Sequence, residues 1–262
     1  AAAAEAADRS ALPVAGAAAM ATAPTVQTAT LPNGLKLHLV YDPCAGQPVR
    51  FAVASPKVSE IALARGFGLE AGATYVFDKG STDYGWWQAI VAAGAFFVTR
   101  LKRNARRREI QPFPGAEGAI LANQTLKIGH KKPRGGADNP LYNTPLREVV
   151  VARDGKAPLH LITNDLIRPA AEIAELYKER WQIELFFKWI KQNLKIKSFL
   201  GRSENAVRIQ IYVALIAFCL LRLFHDAYAA NHKSGSPALL ARLRVALFDA
   251  FDLTNRAPPA PK

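Results

Sequence analysis

The chain has 262 residues, and 34 Lys plus Arg against 21 Asp plus Glu give it a formal net charge of +13. Half of the residues are apolar and 21% are charged, so a real core in one or two domains is expected and a disordered chain is excluded. Two cysteines, Cys44 and Cys219, with no CxxC or HxxxH spacing, exclude a disulfide-stapled scaffold and a zinc enzyme and leave a reducing, cytoplasmic setting as the default.

Residues 1–33 are rich in Ala, Thr and Pro with little periodicity, and are expected to be poorly ordered, although Thr25 to Leu31 could supply a strand. From Gly34 the pattern sharpens. Leu35, Leu37, Leu39 and Tyr41 alternate with Lys36 and His38, Asp42 and Pro43 make a turn, and Pro48 to Ala54 resumes as a second strand. Pro56 to Arg65 has helical spacing, Thr74 to Phe77 is a short strand ending at Asp78, a helix is expected near Trp86 to Ala92, and Phe96 to Thr99 is again a strand. This alternation predicts a layered α/β core.

Residues 102–158 change to basic clusters, Gly and Pro breaks and short extended pieces, which read as an inserted β-rich or loop-rich segment. Leu159 to Thr163 returns as a strand, and Pro169 is well placed to open a long helix over about Ala170 to Lys195. Ser203 is a plausible N-cap for a second long helix reaching about Tyr228. Its apolar run, Ile211 to Leu221, is 11 residues, against about 20 for a bilayer span, and predicts a buried helix and no membrane association. Residues 231–262 are expected as a C-terminal helix and a frayed, proline-rich tail, and no signal peptide is evident at the start.

The strongest local signal lies in LYKERWQIELFFKWIKQNLKIK, residues 176–197. On one continuous helix, Tyr177, Arg180, Glu184, Lys188 and Lys191 fall within an arc of roughly 80°. Leu176, Ile183, Phe186, Phe187, Ile190 and Leu194 form the neighbouring apolar stripe. A solvated face with Glu184 held by Arg180 and Lys188 is the plain alternative, but one carboxylate among three cations is an uneven mixture for such a face.

The spacing Y-x2-R-x3-E-x6-K, filled by Tyr177, Arg180, Glu184 and Lys191, resembles the signature helix of the bacterial insertion-sequence transposases of the DDE type. RWQIE, ELFFKWIKQ, LKIK and GRSENAVRIQI resemble that family's C-terminal block, and GLKLHLVYDP, TYVFDKG, DYGWW and FFVTR its central strands. The resemblance implies a ribonuclease H-like α/β fold, with residues 34–101 and 159–230 as the catalytic core, an inserted β-rich segment at 102–158 and long C-terminal helices. It also implies Mg²⁺ or Mn²⁺ as cofactor, with two Asp and one Glu as ligands. Phosphoryl transfer replaces one oxygen on phosphorus by another, and two hard cations roughly 4 Å apart serve both oxygens.

Asp78 matches the family's second carboxylate, at a strand end before Lys79 and Gly80, and Glu184 is the third. The first Asp is expected on a strand upstream of GLKLH, where Asp8, in the context DRSALP, is the candidate metal ligand. By the same resemblance Tyr177, Arg180 and Lys191 contact DNA phosphates, Lys188 joins them as a weaker candidate, and Trp181 stacks on a displaced base or else packs in the core. The implied partners are double-stranded DNA, as transposon terminal inverted repeats and target DNA, and a second copy in a homodimer on paired ends. The implied location is cytoplasmic and nucleoid-associated. The basic run Arg100, Lys102, Arg103, Arg106, Arg107 and Arg108, with Lys131, Lys132 and Arg134, could track the DNA backbone.

The family's N-terminal DNA-binding region has no room here, which suggests a truncated transposase and, as the alternative function, a noncatalytic DNA-binding remnant. A basic RNA-associated protein is a third class, without a supporting motif. The histidines His38, His130, His160, His225 and His232 are scattered singly and suggest no catalytic triad.

Overall fold

The computed structural model describes residues 25–30, 35–43, 45–133, 136–193, 201 and 203–231. The expected C-terminal tail lies outside the described residues. The chain divides into two compact units, residues 1–211 and 212–262.

Nine strands of the first unit form one sheet: β1 (Thr25–Thr30), β2 (Lys36–Asp42), β3 (Gln47–Ala54), β4 (Thr74–Phe77), β5 (Phe96–Arg100), β6 (Arg107–Pro112), β7 (Ile120–Ile128), β8 (Leu146–Val151) and β9 (Leu159–Thr163). Their order is β3-β2-β1-β4-β5-β9-β8-β7-β6. Only the β1/β4 and β4/β5 pairs are parallel, so the sheet is mostly antiparallel. Thr25–Thr30, inside the segment expected to be poorly ordered, is a strand paired with both β2 and β4. The chain between β5 and β9 supplies three strands that continue the same sheet.

Alternation along the strands builds two cores on opposite faces. Tyr75, Phe77, Phe97 and Ile162 face one way, against Trp86, Trp87 and Ile90 of α2 (Tyr84–Ala92) and Ala64 of α1 (Glu60–Gly66). Val76, Val98, Val149 and Leu161 face the other, against Ile173, Leu176 and Tyr177 of α3 (Ala170–Glu179). The Phe77 ring centroid lies 4.5 Å from that of Trp86, and Trp87 lies 4.9 Å from Phe97. Each of these fully buried side chains contributes on the order of 1.5–3 kcal/mol, and together they fix the end of β4 from below.

Local signals set the helix ends. Asp83 caps α2, its Oδ1 accepting from Trp86 N at 2.6 Å. Gly94 closes α2 at φ +68°, a conformation with no Cβ penalty only for glycine, and its N–H returns to the Val91 carbonyl at 3.0 Å. Ser59 caps α1, which begins at Glu60 and so opens four residues later than the spacing suggests.

The long helix expected over 170–195 is interrupted. α3 ends at Glu179, Arg180 N turns to Tyr177 O at 3.3 Å, and α4 (Trp181–Asn193) starts afresh. The two pieces bury their apolar stripes on different ground: α3 on the β4/β5/β8 face, and α4 through Phe186 on Tyr41 of β2, with ring centroids 5.3 Å apart. A twisted sheet presents these two patches at different angles, and the break at Arg180 lets both be covered.

α5 (Glu204–Asn231) is opened by Ser203, whose Oγ accepts from Ala206 N at 3.2 Å, as its sequence predicts. The expectation of a buried helix is corrected. Ile211, Ala214 and Leu215 are buried, but Val213, Ile216, Leu220 and Leu223 are each about 60% exposed. The helix has more apolar positions than one buried flank accommodates. Among the described residues, Glu204–Leu223 is the single stretch long and apolar enough to cross a membrane by length and composition.

Candidate active site

Asp78 directly follows β4. Two residues beyond Val76, it projects toward the face that α3 covers. It stands at the head of a 3-10 turn, Lys79–Ser81, without spending its carboxylate on a local cap, and it is exposed. The hydroxyl of Tyr177, from the last turn of α3, donates to Asp78 Oδ1 at 3.4 Å.

Arg180 sits at the α3–α4 junction, its guanidinium carbon 5.7 Å from the Tyr177 ring centroid. Its Nη2 donates to Glu184 Oε1 at 2.7 Å, and its buried Nε has no partner. Burial works against the Arg180 charge. The hydrogen bond to Glu184, with Tyr177 and the charges of Glu184 and Asp78, outweighs it, so its pKa is raised. The two carboxylates therefore act on one guanidinium.

Burial also pushes the Tyr177 hydroxyl up to about 12. Arg180 and Arg100 pull it down and Asp78 raises it. Arg100 reaches this group because parallel pairing sets Thr99 against Phe77 and so carries Arg100 alongside Asp78. In the sequence Arg100 is one member of a basic run, and only the β4/β5 register singles it out.

The other expected site residues are placed unequally. Trp181, first in α4, is 56% exposed, which is not core packing. Lys188 is exposed on the same helix. Lys191 lies in the last turn of α4, but its side chain is outside the described residues, as are Asp8 and Arg134. Among the described residues no three His, Cys, Asp or Glu side chains converge as a metal site. β1, TVQTAT, contains no carboxylate. Asp78 and Glu184 carry hard oxygen donors of the kind a divalent cation prefers.

Two members of the basic run are committed inside the fold. Arg107 Nη2 pairs with the buried Glu148 at 2.7 Å, and Glu148 also holds His160 Nδ1 at 2.9 Å and Gln124 Nε2 at 2.8 Å. Burial alone would raise the Glu148 pKa, but these three partners hold it below the ordinary carboxylate value. Arg108 lies over the Tyr142 ring at 3.7 Å and donates to the Gly129 carbonyl. His160, isolated in sequence, belongs to a network built from four strands.

The model of the transposase DDE domain matches residues 6–220. The chain belongs to this family. It is 45% identical over 196 residues to y4zB of Sinorhizobium fredii, a protein named as a transposase, covering 73% of this chain and 53% of that protein. It is 27% identical over 203 residues to the probable transposase for insertion sequence element IS5377 of Geobacillus stearothermophilus, covering 74% and 50%. The chain thus spans about half the length of these curated relatives. In fold, this DDE chain resembles the piggyBac transposase of a synaptic complex with hairpin DNA, at a TM-score of 0.51 and 10% identity, covering 90% of this chain and 54% of that one.

Proposed function

We propose that the chain is the catalytic core of a DNA transposase that cleaves insertion-sequence ends and transfers their strands, with Mg²⁺ or Mn²⁺ held by Asp78 and Glu184. One chain of contacts carries the reading: Tyr177 donates to Asp78 at the end of β4, the Arg180 guanidinium lies over the Tyr177 ring, and Arg180 pairs with Glu184 in α4, so two carboxylates remote in sequence flank one Tyr–Arg pair. The donor set fits a hard cation, with Asp8 as the further carboxylate in this reading. The antiparallel β3-β2-β1 group followed by parallel β4 and β5, with helices on both faces, supports a ribonuclease H-like core. In that core β6, β7 and β8 are the insertion.

A bound metal pair supplies activation of the attacking oxygen and charge stabilisation of the leaving one. The chain's own residues prepare for this. Tyr177 holds Asp78 by a hydrogen bond and restricts its rotamers. Arg180 offsets the charge of Glu184, and its planar fork suits a backbone phosphate when DNA enters. Lys188, Lys191 and Trp181 extend the contact along α4, the indole stacking on an unpaired base.

The test is nicking and strand transfer on a duplex carrying the element's terminal repeat, with and without Mg²⁺. Activity should require the metal and disappear in Asp78→Ala and in Glu184→Ala. Persistence in both variants would overturn the assignment. A second reading, a noncatalytic DNA-binding remnant, is favoured by the lack of a carboxylate in β1. It predicts salt-sensitive, metal-independent DNA binding with no nicking.

A further inference from the structure

Arg100 ends β5 and opens the basic run. Parallel pairing sets Thr99 against Phe77, and Asp78 continues β4 in an extended conformation, φ −79° and ψ 162°. Arg100 and Asp78 therefore lie side by side, at the spacing of about 4.8 Å between neighbouring strands. Arg100 follows Val98 by two residues as Asp78 follows Val76, so both side chains leave the sheet on the face of Tyr177. We infer that Arg100 contacts the scissile phosphate itself, beside Asp78, and stabilises the charge that develops there during transfer. This inference rests on the transposase reading.

Strand pairing fixes where this guanidinium starts. β5 is flanked by β4 on one side and by β9 on the other, where Arg100 pairs with Leu161. The side chain is half-buried, which limits the directions open to it. Its chain neighbours have other duties: Arg107 is held by Glu148, and Arg108 by the Tyr142 ring and the Gly129 carbonyl. Arg100 forms no ion pair among the described residues, with Asp78 or with any other carboxylate. Its charge still acts at the site. Burial raises the pKa of the Tyr177 hydroxyl, and Arg180 and Arg100 both work against that rise.

Two guanidiniums thus approach the Tyr177–Asp78 pair from different sides, Arg180 from the α3–α4 junction and Arg100 from the sheet. Arg180 has Glu184 as its counter-charge. Arg100 has none, and a phosphate brought to Asp78 supplies one. In strand cleavage an oxygen of water bonds to phosphorus, one phosphorus–oxygen bond of the backbone breaks, and the departing oxygen leaves with a proton. Arg100 gives up no proton in this step. It donates hydrogen bonds to a non-bridging oxygen, where a donor fixed in advance is worth more in the transition state than in the ground state.

The test uses the full chain and the terminal-repeat duplex. Arg100→Ala should slow nicking at saturating duplex about a hundredfold with an unchanged melting temperature. Arg100→Lys, which keeps the charge but not the fork, should recover only part of the rate. A second readout needs no activity. Duplex binding is measured by anisotropy without divalent metal, with a neutral methylphosphonate replacing the phosphate at the cleavage position. Wild type should lose at least about tenfold in affinity on this replacement, and Arg100→Ala should bind both duplexes alike. The same replacement one helical turn away should weaken both proteins equally. Nicking by Arg100→Ala at the wild-type rate, a wild type indifferent to the methylphosphonate, or an Arg100→Ala as sensitive to it as wild type overturns the inference. A wild type that does not nick at all defeats the transposase reading instead, and the binding comparison still decides whether Arg100 meets that phosphate.

Discussion

The hydroxyl of Tyr177 reaches the carboxylate of Asp78 at 3.4 Å across 99 residues of sequence. It ties the last turn of α3 to the end of β4, and it gives a buried tyrosine an acidic neighbour at the candidate metal site.

That placement has a pH signature. The folded pKa of Tyr177 is raised to about 12 from 10.0, chiefly by burial. A raised pKa means stability that is complete below pH 10 and is lost as pH climbs toward 12, because the unfolded chain releases the proton first. Urea unfolding between pH 9 and 12 should show a steeper fall for wild type than for Tyr177→Phe. Parallel curves would refute this.

His38 works in the acid direction. Burial in β2, with Lys36 nearby, lowers its pKa from 6.5 to about 4. Its contribution is present above pH 6.5 and declines as pH falls to 4, because the unfolded chain takes up the proton first. Unfolding measured at pH 7 and pH 4.5 should lose less stability in His38→Gln than in wild type.

Glu148→Ala removes the acceptor shared by Arg107, His160 and Gln124. Breaking such a buried pair costs about 3–5 kcal/mol, and the lower end applies because Arg107 and His160 keep access to water. Chemical denaturation reads the loss directly. A change below about 1 kcal/mol, the range of an exposed pair, would show the network to be surface-like.

Asp83→Ala tests a cap with a second duty. The same Oδ1 that caps α2 at Trp86 N accepts from Arg65 Nη2 at 2.8 Å and so links α1 to α2. Losing the cap costs about 1–2 kcal/mol, read as a lower urea midpoint. Asp83→Asn, which keeps the acceptor, should recover most of it.

Much of the site was legible locally. The strand at 36–42, the strand-end position of Asp78, the Ser203 cap and the Arg180–Glu184 pair are local features that the structure reproduces, whereas the polar–apolar alternation in 35–41 is not matched by burial, since His38 and Val40 are buried with their neighbours. Arg107, Arg108 and His160 were illegible, because a basic or isolated residue carries no mark of the partner that strand pairing will bring it.

The amino-acid sequence alone determined the family, the candidate carboxylates and the faces of the main elements, since these rest on residue type and spacing within one element. Only the tertiary structure decided that β1 lies between β2 and β4, that the helix breaks at Arg180, and that Asp78, Tyr177, Arg180 and Glu184 gather in one place. Those facts depend on register between distant segments and on the twist of the sheet they cover, which local periodicity does not encode.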